Sequence, residues 1–388
     1  MTVTSARGFR AAGITAGIKA SGRPDLALVV NDGPLDTAAA VFTANRFKAA
    51  PVLWSQQVIA DGAVRAVILN SGGANACTGP AGFGDTHRTA EKVADVLTAA
   101  GDETGPGDVL VCSTGLIGER LPMAALLSGV ESIVGELTPG GGEAAAVAIM
   151  TTDTVPKTAT VAADGFTVGG MAKGAGMLAP ALATMLVVVT TDAVVTPEQA
   201  DQALRQAARG TFDRVDSDGC MSTNDTVLLM ASGASGVTPE PDAFADALTQ
   251  VCADLARQLI ADAEGASKEI AIIVERAASD ADALEVARSI SRSNLLKCAI
   301  HGEDPNWGRV LSAIGTTSAA FEPDDVDVAM NGVWVCRGGG IGDSRDLVDM
   351  SGREVRISVN LHAGDSTATI WTNDLTAEYV HENSAYAT

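Results

Sequence analysis

Positive charge is scarce in this sequence: 388 residues carry 26 Lys and Arg against 48 Asp and Glu, a formal net charge of −22. Nucleic-acid affinity comes from basic side chains that displace phosphate counterions, so with no basic patch visible the imbalance excludes a nucleic-acid partner. Aromatic residues are few, at 4%, while glycine occurs 41 times, which suits helix and sheet layers packed closely on small residues. The six cysteines, Cys77, Cys112, Cys220, Cys252, Cys298 and Cys336, form no CxxC pair, and the four histidines are dispersed. A zinc or cluster site is therefore not expected, nor any other cofactor. The N-terminus has no basic segment followed by an apolar one, so the cysteines read as reduced and the protein as cytoplasmic. The longest apolar stretch, 177–189, is too short to cross a bilayer and contains Pro180 and Thr184, so no membrane association is expected.

What is present is an ordinary globular balance, 46% hydrophobic and 19% charged, with length for two or three domains. Apolar runs at 26–30, 40–45, 63–70 and 109–112 predict strands. Helical spacing predicts helices over 87–101, ending at Gly101, and over 122–137. Two alternating runs around Asp164-Gly165 predict a hairpin over 158–170, and a buried strand is expected over 184–190. Thr196 and Pro197 have N-cap and N1 character for a helix. Further helices are expected over 242–262 and 281–298, with a strand at 269–275 between them. The tail reads as β-rich, with hairpin turns at Asn331-Gly332 and Ala363-Gly364, a loop at 338–344 and a softer domain boundary near 275–285.

Several segments can carry chemistry, and each has a plain structural reading. The run 70–76, NSGGANA, follows a strand and can present amides to an anion or simply turn the chain. Ser113-Thr114-Gly115 ends another strand, where a hydroxyl and a glycine amide can point the same way, as an oxyanion hole requires. No GxGxxG follows the first strand, and Lys173-Gly174-Ala175-Gly176 lacks P-loop order. Ala183-Thr184 is sharper. A threonine there can attack the preceding carbonyl, be released by water as a new N-terminus, and use its own α-amine, of pKa about 7.7–8.0, as a base; it is equally a good strand-starting residue. Glu264, after the long helix and near Lys268, can hold a substrate ammonium or be a solvated turn. The segment 301–309, HGEDPNWGR, is open to either reading, and 216–226 lacks calcium-loop spacing.

The segment KGAGMLAPALATML (173–186), together with NSGGANACTG (70–79), CSTGLIG (112–118), AIMTTDT (148–154), STNDT (222–226), DAEGASK (262–268), DPNWGRV (304–310) and ENSAYAT (382–388), resembles the ornithine acetyltransferase (ArgJ, glutamate N-acetyltransferase) family over nearly the whole chain. The resemblance implies an α/β architecture, layered αββα and similar to N-terminal-nucleophile enzymes, with a smaller α+β C-terminal domain. It also implies self-cleavage between Ala183 and Thr184. Residues 1–183 would form an α chain, 184–280 would complete the core and carry the nucleophile, and 281–388 would form the smaller domain. The implied reaction is ping-pong acetyl transfer from N2-acetyl-L-ornithine to L-glutamate through acetyl-Thr184, in arginine biosynthesis, in an α2β2 assembly with small-molecule substrates. In the roles it implies, Thr184 is the nucleophile, Thr114 and Gly115 the oxyanion hole, and Glu264 a proton-handling group. Thr151, Lys173, Thr184, Glu264, Asn383 and Thr388 contact substrate. Competing readings are an N-terminal-nucleophile amidase or aminopeptidase, with water in place of glutamate, and a non-catalytic protein in which Thr184 is only a strand residue.

An acetyl-threonine must be kept from water, and the C-terminal tail is the expected shield. Deleting residues 382–388 is expected to raise the ratio of acetylornithine hydrolysis to transfer, measured as free acetate against N-acetylglutamate; an unchanged ratio removes the tail from that role.

Overall fold

The apolar runs at 26–31 and 66–70 leave no residue for a solvated face, and both become strands buried on two sides. The structure, a computed structural model, describes residues 2–178 and 185–385. These residues form two compact units, one comprising the chain up to 213 together with 220–262, the other 214–219 together with the chain from 263 onward.

In the first unit the strands follow the chain as β1 (Phe9–Ile14), β2 (Leu26–Asn31), β3 (Thr37–Phe42), β4 (Ala66–Asn70), β5 (Val109–Ser113), β6 (Lys157–Ala163), β7 (Phe166–Lys173), β8 (Leu186–Thr191) and β9 (Thr226–Ala231). They make two sheets, β1-β2-β4-β5 and β3-β9-β8-β7-β6. The helices are α1 (Ala50–Val58), α2 (Gly79–Ala99), α3 (Met123–Ile133), α4 (Gly142–Ala148), α5 (Pro197–Gly210) and α6 (Pro241–Ala261). Val29, Val67, Leu69 and Leu110 of the first sheet meet Met171, Val188, Leu228 and Met230 of the second in one buried core. The outer face of the first sheet, with Leu28, Val30, Ile68 and Val111, is covered by Val93 and Leu97 of α2 and Leu126, Val130 and Ile133 of α3. Helices α5 and α6 pack against the second sheet. The order is thus helix, sheet, sheet, helix, as the family resemblance implied.

The second unit holds one six-stranded sheet in the order β13-β12-β11-β14-β10-β15. Its strands are β10 (Glu269–Ala277), β11 (Asp327–Met330), β12 (Val333–Arg337), β13 (Gly340–Ile341), β14 (Glu354–Asn360) and β15 (Ser366–Asn373), and its helices α7 (Asp280–Ser291), α8 (Asn294–His301), α9 (Trp307–Ile314) and α10 (Ala377–Ala385). Alternate residues Ile270, Ile272 and Val274 of β10 pack with Val286 and Ile290 of α7, Ile300 of α8 and Val310 of α9.

Several local expectations change. The strand expected at 40–45 lies at Thr37–Phe42, because Thr43 leaves the ladder and its hydroxyl donates to the Ser222 carbonyl at 2.6 Å. Helix α2 begins eight residues before 87, using Pro80 in its first turn. The helix expected over 281–298 is two, since Ser293 breaks it and accepts from the Leu296 amide as the N-cap of α8. Asn331-Gly332 does close a hairpin, with φ of 46° and 87°, but Ala363-Gly364 does not, because β10 lies between β14 and β15. Part of the expected loop at 338–344 pairs as the short β13. Thr184, at the start of the strand expected over 184–190, lies outside the described residues, and β8 begins at Leu186.

Small residues set the spacing of these layers. A Cβ on Gly13 of β1 would sit 2.0 Å from the Ala144 carbonyl oxygen of α4, backbone against backbone. Gly13→Ala is therefore expected to cost about 2 kcal/mol or more, read from urea unfolding of the first unit; an unchanged midpoint shows that α4 can shift freely.

Candidate active site

Strand β5 delivers Cys112 and Ser113 to a tight turn. The Thr114 amide donates to the Asn70 carbonyl at 3.0 Å, and Thr114 is bridged to Gly73 of the neighbouring loop. Gly115 follows with φ +132°, and a Cβ there would lie 2.8 Å from the Gly73 nitrogen, so both space and backbone conformation require glycine. Asn224 braces this turn, its Nδ2 donating to the carbonyls of Ser113 at 2.8 Å and Ala74 at 2.6 Å. The glycine-rich run 70–76 is thereby zipped to the turn of 113–118 along its length.

Lys173 ends β7 and is buried, and its Nζ donates to Thr114 Oγ1 at 3.3 Å. The Thr114 oxygen thus accepts from Lys173, and its own proton is available to a further acceptor. Gly174 then turns the chain at φ +153° and donates its amide to Asp153 Oδ1 at 2.6 Å. Asp153 also accepts from the Thr151 amide at 2.9 Å and from the buried Lys157 at 2.6 Å. Lys157 in turn donates to Asp262 at 2.6 Å. Burial alone would raise the Asp153 carboxyl, but Lys173, Lys157 and the hydrogen bonds outweigh it and hold Asp153 at about 2. The first unit therefore brings Thr114, Gly115 and Lys173 together and ties the amide of Thr151 to the same turn.

Ala183, Thr184 and Thr388 lie outside the described residues. The strand that follows Thr184 is well placed, however. In register, Leu186 pairs with Lys173 on one side and with Thr226 on the other. Just before it, the Met185 amide donates to Asp225 Oδ1 at 3.1 Å. Asp225 is fully buried, and its Oδ2 has no hydrogen-bond partner among the described residues. Burial pushes its carboxyl well above the usual range, against the opposing pull of the Met185 amide and the Lys173 charge. Neither Asp153 nor Asp225 stands out as a site residue in the sequence. Each lies inside a motif shared with the family, and its character comes from enclosure that no local pattern displays.

In the second unit, Glu264 Oε2 accepts from Asn383 Nδ2 at 2.9 Å, so two of the expected substrate ligands are neighbours. Their approach depends on Gly265, with φ +62°, where a Cβ would meet the Tyr379 nitrogen of α10 at 2.3 Å. Lys268 is turned inward to Glu303 and the carbonyls of Met350, Ser351 and Gly352. The segment 301–309 is structural in character: Asn306 caps α9, and Arg309 donates to the Leu295 carbonyl at 2.6 Å.

The raised pKa of Asp225 has a thermodynamic signature. Its folded pKa is raised, so the stability it contributes is complete below the unfolded carboxyl value of about 3.9 and is lost as pH rises toward the folded value. Asp225→Asn, which keeps an acceptor for the Met185 amide, is expected to gain Tm relative to the parent progressively above about pH 4. A Tm difference that does not vary with pH would show that the carboxyl is not held neutral.

The ArgJ family's sequence profile matches residues 10–388. The chain is 70% identical, over the full length of both proteins, to the arginine biosynthesis bifunctional protein ArgJ of Streptomyces coelicolor, and 63% identical, again over both full lengths, to that of Thermobifida fusca. Among solved structures, the ornithine acetyltransferase of Mycobacterium tuberculosis complexed with ornithine matches at 63% identity, covering 48% of this chain and 96% of that one, with a TM-score of 0.46. On the family profile and full-length relatives, the chain belongs to the ArgJ family.

Proposed function

We propose that this chain is a glutamate N-acetyltransferase (ornithine acetyltransferase) of arginine biosynthesis. It cuts itself between Ala183 and Thr184 and then moves the acetyl group of N2-acetyl-L-ornithine to L-glutamate through acetyl-Thr184. The observation that carries the reading is the position of Lys173. It pairs in register with the strand that begins just after Thr184, and its ammonium lies on the hydroxyl of Thr114.

In this reading Thr184 attacks the acetyl carbonyl, with its freed α-amine or a water relay as base. Thr114, its hydroxyl proton turned outward by Lys173, and the fixed amide of Gly115 meet the oxygen as it becomes negative. Both are set before the reaction, so no reorganisation is needed when charge develops. Thr151 and Lys173 hold the α-carboxylate common to both amino acids. Glu264 manages the proton on the departing or attacking amine, Asn383 orients Glu264, and Thr388 completes the set. The amide broken and the amide formed are alike, so transfer is near thermoneutral and requires no metal or nucleotide.

The full-length relatives carry names in arginine biosynthesis, which favours glutamate over water as the acceptor and weighs against the amidase reading. Their being called bifunctional supports acetyl-CoA as a second donor. The two fragments stay together as an α2β2 protein in the cytoplasm; among the described residues no helix is long and apolar enough to cross a membrane.

Mass analysis of the purified protein is expected to show two fragments, the second starting at Thr184, and Thr184→Ala is expected to stay intact and inactive. Ornithine release from acetylornithine should depend on glutamate, and acetyl-CoA should support N-acetylglutamate formation in its place. Release that proceeds equally without glutamate would identify a hydrolase.

A further inference from the structure

One pair of cations beside this site has no role in the reading above. Lys19 lies in the connection between β1 and β2. Asp25, which is fully buried, shapes that connection by accepting the amides of Ala16 at 2.6 Å, Ile18 at 2.6 Å and Lys19 at 2.9 Å. The connection lies on the glycine-rich run, because a Cβ on Gly72 would sit 2.2 Å from Ile18 Cγ2. The backbone that shapes the Thr114 turn is thus in contact with the segment that bears Lys19.

The ammonium of Lys19 reaches the start of the Thr151 loop. It donates to the carbonyls of Met150 at 2.5 Å and Pro24 at 3.1 Å, and among the described residues it forms no ion pair. Asp25, the carboxylate nearest in sequence, is engaged with main-chain amides. Arg23 is exposed and donates to the carbonyl of Thr151 itself at 3.3 Å. Half-buried, with Arg23 and Lys173 as like-charged neighbours, the Lys19 ammonium is lowered to about 8 by burial first and by those charges next, against the pull of Asp25 and Asp153. Holding an unpaired, partly desolvated cation costs folding free energy, and a bound anion offsets that cost. In a chain of net charge −22, positive charge of this kind at one loop is specific to the place.

The two amino acids of the reaction share an α-carboxylate and an α-amine and differ at the far end. Ornithine ends in an ammonium and glutamate in a carboxylate. We propose that Lys19, with Arg23 beside it, receives the side-chain carboxylate of glutamate and so sets acceptor specificity. The assignment rests on the reading that Thr151 and Lys173 hold the α-carboxylate. It also gives the acetyl-enzyme a preference between acceptors: the ornithine ammonium finds no partner at Lys19, while glutamate finds one.

The test is a comparison of acceptors in the full, processed enzyme. Lys19→Met is expected to raise the KM for glutamate about 10-fold or more while leaving the KM for acetylornithine, and the rate of acetyl-enzyme formation, within about twofold. Lys19→Arg should restore most of the glutamate affinity. Glutamine, isosteric but uncharged, should be a poor acceptor for the parent enzyme, and Lys19→Met should narrow the gap between glutamine and glutamate. A parallel rise of both KM values, or an unchanged preference for glutamate over glutamine, overturns the assignment and makes Lys19 a pin for the Met150 carbonyl. If Lys19→Met does not fold, Arg23→Ala at its exposed position decides: the glutamate KM should rise about threefold or more, and an unchanged value overturns the proposal. Glutamate-dependent ornithine release by the parent enzyme tests the reaction itself, so the two failures are told apart.

Discussion

The buried carboxylate of Asp153 is the interaction on which the first unit's chemistry depends. It is the common acceptor for the Gly174 amide, the Thr151 amide and the Lys157 ammonium. Two of these fix main chain on either side of the proposed α-carboxylate ligands, and the third links the turn to Asp262 at the end of α6. Charge-assisted bonds of this kind are short and directional, and here they are closed off from water. They hold the KGAGM turn in one shape, so that Lys173 can meet Thr114 without being drawn back to its own carboxylate.

Two carboxyl groups flank Lys173 with opposite character. Asp153 is kept ionised by two lysines and several donors, while burial pushes the Asp225 carboxyl well above the usual range despite the Met185 amide, the Ser222 and Thr43 hydroxyls and Lys173. The contrast follows from charge and burial: Lys157 and Lys173 both act on Asp153, whereas for the fully buried Asp225 desolvation outweighs the pull of Lys173 and the hydrogen bonds. Lys173 thus lies between a carboxyl whose ionised form is favoured and one whose ionised form is disfavoured by burial.

Much of this was legible in the sequence, and the reasons differ from place to place. Local chemistry was enough where one turn or cap decides the matter. Asp164-Gly165 and Asn331-Gly332 both close hairpins, and Thr196 with Gln199 forms a capping box on α5. Motif resemblance placed Thr114, Gly115 and Lys173, and the structure brings these three together. Long-range pairing was hidden. That β10 inserts between β14 and β15 depends on a parallel pairing between residues 85 positions apart in sequence, such as Glu269 with Glu354, which no window along the chain can show. The same is true of Asp225, which meets the Met185 amide 40 positions away. Net charge proved uneven as well: residues 1–183 hold 12 basic and 16 acidic side chains, and residues 184–388 hold 14 and 32.

The strand order of the second sheet decides what the proposed cut would release. Reading β3-β9-β8-β7-β6 across the sheet, the outer members β3, β7 and β6 precede the proposed cut and the inner pair β9 and β8 follow it. After such a cut β8 and β9 would still be held on both edges by strands that precede it, along the β3/β9 seam and the β7/β8 seam, each six residue pairs in register. Hydrolysing one peptide bond frees an amine without freeing a chain. Dissociation of β8 and β9 would require opening both seams and the core beneath them, so a cut at that bond would leave these strands held between β3 and β7.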